Sequence, residues 1–316
     1  MINLSQWTTI DTILPRLNDK KTAQSSPNPM TIDFQALMAR EFPVIDHHYT
    51  ERDTMFYALS VGLGFEPTDE RQLPFVYEDG LQTFPTMAAI MAYPGLWIRE
   101  PDTGIDWEHG LHSEQGMEFL KSVPPAGHIR AQTRVSGIVD KGEGRGALIY
   151  TERTGIDVAT GEELFRVFHT TFARKDGGFG GPDGPVRKPH PVPEREPDAV
   201  CDLPTLEQQA LYYRLNGDPN PHNADPKSAA AAGFPRPILH GLCSYGFAGH
   251  AIVRACCDYN PTALKALHVR LSAPVFPGET LRTEIWREEN GTTLAFRMKA
   301  LERDVVVLNN GRAELT

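Results

Sequence analysis

Two similar α+β halves, each an apolar helix followed by an antiparallel meander, are what this sequence of 316 residues predicts. Three observations carry that reading. The chain is too long for one small core and suits two domains of ordinary size. A Gly/Pro-rich span, from Gly177-Gly178-Phe179-Gly180-Gly181-Pro182 through Pro197, divides it. On each side of that span, an apolar run precedes short stretches rich in β-branched residues and separated by turns.

The elements follow in order. Residues 1–33 read as a flexible leader, since Lys20 to Pro29 is polar and turn-rich. The first half, 34–175, opens its apolar run at Phe84 to Ile98, but Tyr93-Pro94-Gly95 interrupts it and predicts a shortened helix. Strands are expected at Ile129 to Val139, Gly146 to Asp157 and Glu163 to Arg174. A linker at 176–199 leads to the second half, 200–316. There Pro237 to Tyr259 is of helix length, with Pro237 suited to the first turn. Strands are expected at Ala266 to Leu271, Thr280 to Glu288, Thr292 to Leu301 and Asp304 to Leu315, with Asn290-Gly291 as a hairpin turn.

Composition narrows the functional classes. A hydrophobic content of 40% and a charged content of 23% describe a globular chain. No apolar run approaches the roughly 18 residues needed to span a bilayer, so no membrane partner is expected. The net charge of -10 argues against nucleic acid, which requires a concentrated basic surface. It leaves room for a polyanionic small ligand held by a few local cations. The four cysteines, Cys201, Cys243, Cys256 and Cys257, show no C-x-x-C spacing. They point to unpaired thiols in a reducing compartment, with the cytoplasm as the default.

The most informative segment runs from Gly217 to Leu242. It contains Gly217-Asp218-Pro219-Asn220-Pro221-His222-Asn223-Ala224-Asp225-Pro226 and, beyond an Ala-rich spacer, Pro237-Ile238-Leu239-His240-Gly241-Leu242. This segment resembles, without a gap, the signature of the hydratase 2 family, the MaoC-like (R)-specific enoyl-CoA hydratases. Weaker matches in the same order are Tyr77 to Thr86, His112 to Gln115, Gly177 to Gly181 and Ser272 to Leu281. The resemblance implies a tandem hotdog, in which each antiparallel sheet wraps a central helix. It also implies a homodimer, an acyl-CoA thioester substrate, and neither metal nor redox cofactor. In the family the first half makes room for a bulky acyl chain and the second supplies the chemistry.

Hydrating a 2-enoyl thioester requires a water held over C3, a proton for C2, and stabilisation of the thioester oxygen as it gains charge. The family holds the water between an Asp and a His five residues later. Carried over, the Asp is Asp218, the glycine whose N–H faces the thioester oxygen is Gly241, and the His position is occupied by Asn223. An amide can hold a water through its oxygen and its NH2 but exchanges no proton near neutral pH. His222, where the family has Leu, could substitute if the loop rearranges, although adjacent residues of an extended segment point apart. Asp218 could also be an Asx turn, and Gly241 a site of close packing. Asn220 and Asp225 are expected to fix the loop through side-chain to backbone hydrogen bonds, with Asn220 also on the substrate side. Arg270 and Lys265 are the candidates for coenzyme A phosphates.

His240, His47-His48, His109 and His112 read as structural or solvated histidines. Gly177 to Gly184 lacks the Lys-Ser/Thr ending of a phosphate loop. Three functions stay open: an (R)-specific 2-enoyl-CoA hydratase for a bulky or long acyl chain, an acyl-CoA-binding homologue with little turnover because of Asn223, and thioester hydrolysis on the same fold.

Overall fold

The computed structural model describes residues 31–316. The expected leader lies outside them except for its last three residues, of which Asp33 accepts a hydrogen bond from Ala36 N at 3.0 Å. That bond caps α1, Phe34–Met38. Ten strands form one antiparallel sheet: β1 Ile45–Tyr49, β2 Gly110–Phe119, β3 Gly127–Asp140, β4 Ala147–Asp157, β5 Glu163–Ala173, β6 Ala199–Pro204, β7 Leu264–Leu271, β8 Thr280–Arg287, β9 Thr293–Ala300 and β10 Val305–Leu315. Their order is β1-β3-β4-β5-β2-β7-β10-β9-β8-β6. The first five and the last five therefore come from the two halves, and β2 joins β7 at the seam, from Glu114↔Arg270 to Glu118↔Ala266. This is the expected double hotdog. The strands at 127–140, 147–157 and 163–173, and all four after residue 264, fall where β-branched runs predict them. β1, β2 and β6 lack such a signal, because polar or charged residues break their alternation.

Among the described residues five further α-helices follow: α2 Glu51–Ser60, α3 Leu73–Val76, α4 Gln209–Tyr213, α5 Pro226–Ala231 and α6 Gly241–Cys256. In α6, every residue from Cys243 to Val253 is buried, the mark of a helix enclosed on all sides. The helix starts four residues later than Pro237 suggests, with His240 at its N-cap. In the first half the apolar run yields no α-helix, only a five-residue 3-10 turn, Pro85–Ala89. Sequence reasoning missed α1 to α5, of which α2 is the longest; it is introduced by Thr50, whose N–H donates to Asp53 Oδ2 at 2.8 Å.

The two halves share α6. A Cβ on Gly246 would lie 2.5 Å from Val61 Cγ1, and one on Gly249 would lie 2.6 Å from Thr86 Cγ2. Glycine at these positions lets the second-half helix sit directly against the first half. The turn after α2 is the contact point. Ser60 O accepts from Gln209 Nε2 at 2.8 Å, and Val61 O accepts from His250 Nδ1 at 3.2 Å. The Gly-rich linker is also anchored. The Asp140 carboxylate accepts from the backbone N–H of Gly142, Gly178 and Gly180 at 2.7–2.9 Å. The glycines thus wrap a carboxylate of their own chain.

Two outcomes follow. Gly246→Val should lower stability by about 2 kcal/mol or more, as overpacking does, read as a lower urea midpoint. Burial pushes the His250 imidazole down to about 4, whereas the unfolded chain takes up that proton near 6.5. Stability should therefore hold above about pH 6.5 and fall as the pH drops toward 4, by up to about 1.4 kcal/mol per pH unit for this residue. Urea unfolding at pH 7 and pH 5 should show a smaller difference in His250→Leu than in the parent.

Candidate active site

The Gly217–Asp225 loop is built by its own polar side chains. Gly217 has φ +102°, which favours glycine, and turns the chain out of the 3-10 turn Arg214–Asn216. Asp218 Oδ1 then accepts from Asn220 N at 3.2 Å, and Asn220 Oδ1 accepts from His222 N at 3.3 Å. Asp225 accepts from Lys227 N at 3.0 Å and Ser228 N at 3.3 Å and so caps α5. The roles expected of Asn220 and Asp225 in fixing the loop are therefore met. Asp218 makes its Asx turn with one oxygen and leaves the other available.

Residues 221–223 form a 3-10 turn rather than an extended stretch, and their side chains diverge. His222 Nδ1 contacts Ser228 Oγ at 2.9 Å on α5. Asn223 is 4% exposed, and its Nδ2 donates to Ile238 O at 2.7 Å. Because Ile238 N donates to His222 O at 3.3 Å, this pair of bonds fastens the loop to the segment that enters α6. The residue turned inward is thus Asn223, and His222 is committed elsewhere.

At the start of α6, the first internal hydrogen bonds are donated by Cys243 and Ser244 to His240 O. The N–H groups of Gly241 and Leu242 precede them and have no acceptor within the helix. A Cβ on Gly241 would lie 2.3 Å from Leu271 Cδ2, so close packing requires glycine as well. His240 is buried and donates from Nε2 to the Asp218 carbonyl oxygen at 3.3 Å. Burial lowers its proton affinity and the Asp218 charge partly restores it. Among the described residues its Nδ1 has no partner, nor has the hydroxyl of buried Tyr213, whose ring lies 5.1 Å from the imidazole.

Beside this helix start, a cavity of about 30 Å³ opens between the halves, with Leu242, Tyr93, Gln115, Arg153 and His169 on its walls. Tyr93 connects it to the loop: burial first, and then the Asp218 charge, push its hydroxyl up to about 12. His169 stacks on His112 with ring centroids 3.9 Å apart, and His112 flanks Gly241. His112 is therefore a half-buried imidazole, pushed down to about 4 by desolvation.

Around Asp218 stand, unexpectedly, His240, Tyr213 and Tyr93; Gly241 follows His240 at the helix start, and Asn223 lies on the same loop, bonded to the segment that enters α6. Arg270 and Lys265 are not among them. Arg270 Nε is held by Glu114 Oε1 at 2.6 Å, while Lys265 is exposed five residues along β7, on the opposite face. The sequence signal missed was parity. Arg153 shares its side of β4 with buried Ala147 and Ile149, which marks it as an inward-facing charge. Among the described residues, no three His, Cys, Asp or Glu side chains gather as a metal site, and no helix is long and apolar enough to cross a membrane.

The fold and this loop define a MaoC-like protein, and comparison with known proteins agrees. The MaoC like domain matches residues 189–310, and the MFE-2 hydratase 2 N-terminal domain matches residues 47–175. The chain is 38% identical over 286 residues to Enoyl-CoA hydratase ChsH3 of Mycobacterium tuberculosis, covering 89% of this chain and 98% of that one. It is 36% identical to the probable enoyl-CoA hydratase 2 of Dictyostelium discoideum, covering 90% and 97%. Among solved structures, the MaoC-like dehydratase from Phytophthora capsici superposes with a TM-score of 0.80 at 28% identity, covering 90% and 98%. The peroxisomal multifunctional enzyme type 2 of Drosophila melanogaster superposes with a TM-score of 0.74 at 33% identity, covering 86% of this chain and 48% of that one. The chain belongs to the hydratase 2 family of MaoC-like dehydratases.

Asn223→Ala should leave the Ile238 carbonyl without its donor, at a cost of about 1–3 kcal/mol. Thermal unfolding should show the loss, while His222→Leu, which removes a bond to an intermediate-exposure hydroxyl, should move the midpoint far less.

Proposed function

We propose that the protein hydrates trans-2-enoyl-CoA thioesters to (3R)-3-hydroxyacyl-CoA. The observation that supports this is that His240, at the N-cap of α6, bonds the Asp218 backbone oxygen at 3.3 Å, which holds the loop bearing the Asp218 carboxylate beside the helix start, where the Gly241 and Leu242 N–H groups have no acceptor within the helix. In this reading Gly241 N–H donates to the thioester oxygen, where negative charge collects as C3 is attacked. Asp218 takes a proton from the attacking water and returns it to C2, so the elements of one water are added and the carboxylate is regenerated. Asn223, with its NH2 spent on Ile238 O, offers its Oδ1 to hold the water in place. The acyl chain, of the bulky or long kind, runs toward the first half, where only a 3-10 turn stands in place of a central helix.

One observation favours a second reading, an acyl-CoA-binding protein with little turnover: the inward residue at the family's His position is an amide fastened to the backbone. Loss of enoyl absorbance with crotonyl-CoA and longer enoyl-CoA substrates decides between the two, and release of free thiol would reveal thioester hydrolysis instead. We further propose a homodimer, supported by the apolar side chains of Leu211, Tyr212 and Leu215, which are 51%, 42% and 64% exposed beside the loop. A 35 kDa species in sedimentation would overturn it. The free cysteines suit a reducing compartment, which we take to be the cytoplasm.

Asp218→Ala should abolish hydration while leaving the melting temperature near that of the parent, since the residue lies on a half-buried loop. Asn223→His should raise the rate by up to roughly 10²-fold by restoring a proton-transferring group. His222→Leu should be nearly neutral for turnover. A severe loss in His222→Leu together with a neutral Asn223→His would reverse the assignment.

A further inference from the structure

The cavity beside α6 contains a charge with no counter-charge. Arg153 is 5% exposed. Among the described residues its guanidinium donates only from Nη2, to Ala88 O at 3.3 Å and Ala89 O at 2.7 Å. Its Nε has no partner, and no carboxylate acts on it; the titratable group that does is the Tyr93 hydroxyl, which burial pushes up to about 12 and so leaves uncharged. The rest of the wall is mixed: Ala89, Pro94, Trp97, Val167 and Leu242 are apolar, and no carboxylate stands among the polar side chains. Thr133 Oγ1 is buried and unpartnered, Thr151 and Gln115 carry no charge, and burial keeps His169 unprotonated.

A buried cation normally has a paired anion, because leaving it alone in a low-dielectric site is costly. The two carbonyl oxygens at the end of the Pro85–Ala89 turn orient the guanidinium without neutralising it. What remains is a planar donor group facing a space of about 30 Å³, enough for a few heavy atoms. An aliphatic chain end would strand every one of these donors. A carboxylate would meet the guanidinium fork, the Thr133 hydroxyl and the neutral imidazole together.

The cavity's position says which molecule brings that carboxylate. Leu242, the residue after Gly241, lies on its wall, and Tyr93 stands between Arg153 and Asp218: the Arg153 Cζ lies 5.9 Å from the Tyr93 ring centroid. We infer that Arg153 binds a carboxylate at the far end of the acyl chain, so that the thioesters this protein accepts derive from dicarboxylic acids. This inference rests on the reading of the loop as an acyl-CoA site but not on turnover there.

Calorimetric titration of the full chain tests it. The probes are glutaryl-, adipoyl-, pimeloyl- and suberoyl-CoA, each against the monocarboxylic acyl-CoA of equal length. At least one diacid thioester should bind about tenfold more tightly than its counterpart, as expected for a charge-assisted pair. That advantage should vanish in Arg153→Met and shrink in Thr133→Val. If no diacid is favoured, or if folded Arg153→Met keeps the advantage, the inference fails. Should Arg153→Met not fold, Arg153→Lys decides, since an unchanged advantage there would show that the guanidinium fork is not the recognition element. Hydration assays separate this failure from that of the proposed reaction. Equal hydration of mono- and dicarboxylic enoyl-CoAs overturns the present inference alone. Selective diacid binding with no hydration of any enoyl-CoA overturns the reaction alone.

Discussion

The pairing of β2 with β7 is the constraint on which the site depends. Glu114 and Arg270 face each other across that seam and are joined by a 2.6 Å charge-assisted bond. Glu114 is held from the other side by the Thr170 hydroxyl at 3.0 Å. β2 brings His112 and Gln115 from the first half, and β7 brings Leu271, whose methyl defines the closest approach to Gly241. A slip of one residue at the seam would turn these side chains to the opposite face. The ion pair is half-buried and polar, an unusual choice for a sheet centre, and it fixes the Arg270 guanidinium through its Nε.

Around that seam the loop is fixed by many small local bonds and one longer one. Asp218, Asn220 and Asp225 each satisfy backbone N–H groups within three residues. Asn223 reaches across fifteen residues to Ile238. An amide suits this position because its NH2 is a permanent donor to the carbonyl, whatever the pH. Desolvation lowers the proton affinity of the histidines that remain nearby, His240 and His112, and Arg153 stands buried on the wall of the neighbouring cavity.

Much of this was legible in the sequence. The β-branched runs marked seven strands to within a few residues, and the Gly217 to Leu242 segment located the loop and the helix start together. Other parts were not, for reasons that can be named. β2 joins the two halves through Glu114, a residue whose charge hides a strand from a hydrophobicity pattern. α2 announced itself only by Thr50 and Asp53, a short cap signal without an apolar stripe. Whether His222 or Asn223 faces inward depends on Ser228 and Ile238, and sequence spacing carries no information about which partner each side chain finds. Arg153 was readable by alternation on β4, but its isolation from any carboxylate required the full set of neighbours.

The shared helix has a consequence for how the molecule comes into being. The first half has no α-helix of its own within its sheet, so its apolar face is closed by α6, which is synthesised after it. The first half keeps a core of its own around Trp97, Ile105 and Ile149, but until the chain has passed residue 256 the face that meets Gly246 and Gly249 stays open and the Val61 carbonyl lacks its donor His250. The doubled architecture therefore does not amount to two separable modules. Gln209 and His250 join the halves across the linker through the Ser60–Val61 turn, and the Asp140 clasp on the glycines shortens the loop that this closure has to traverse.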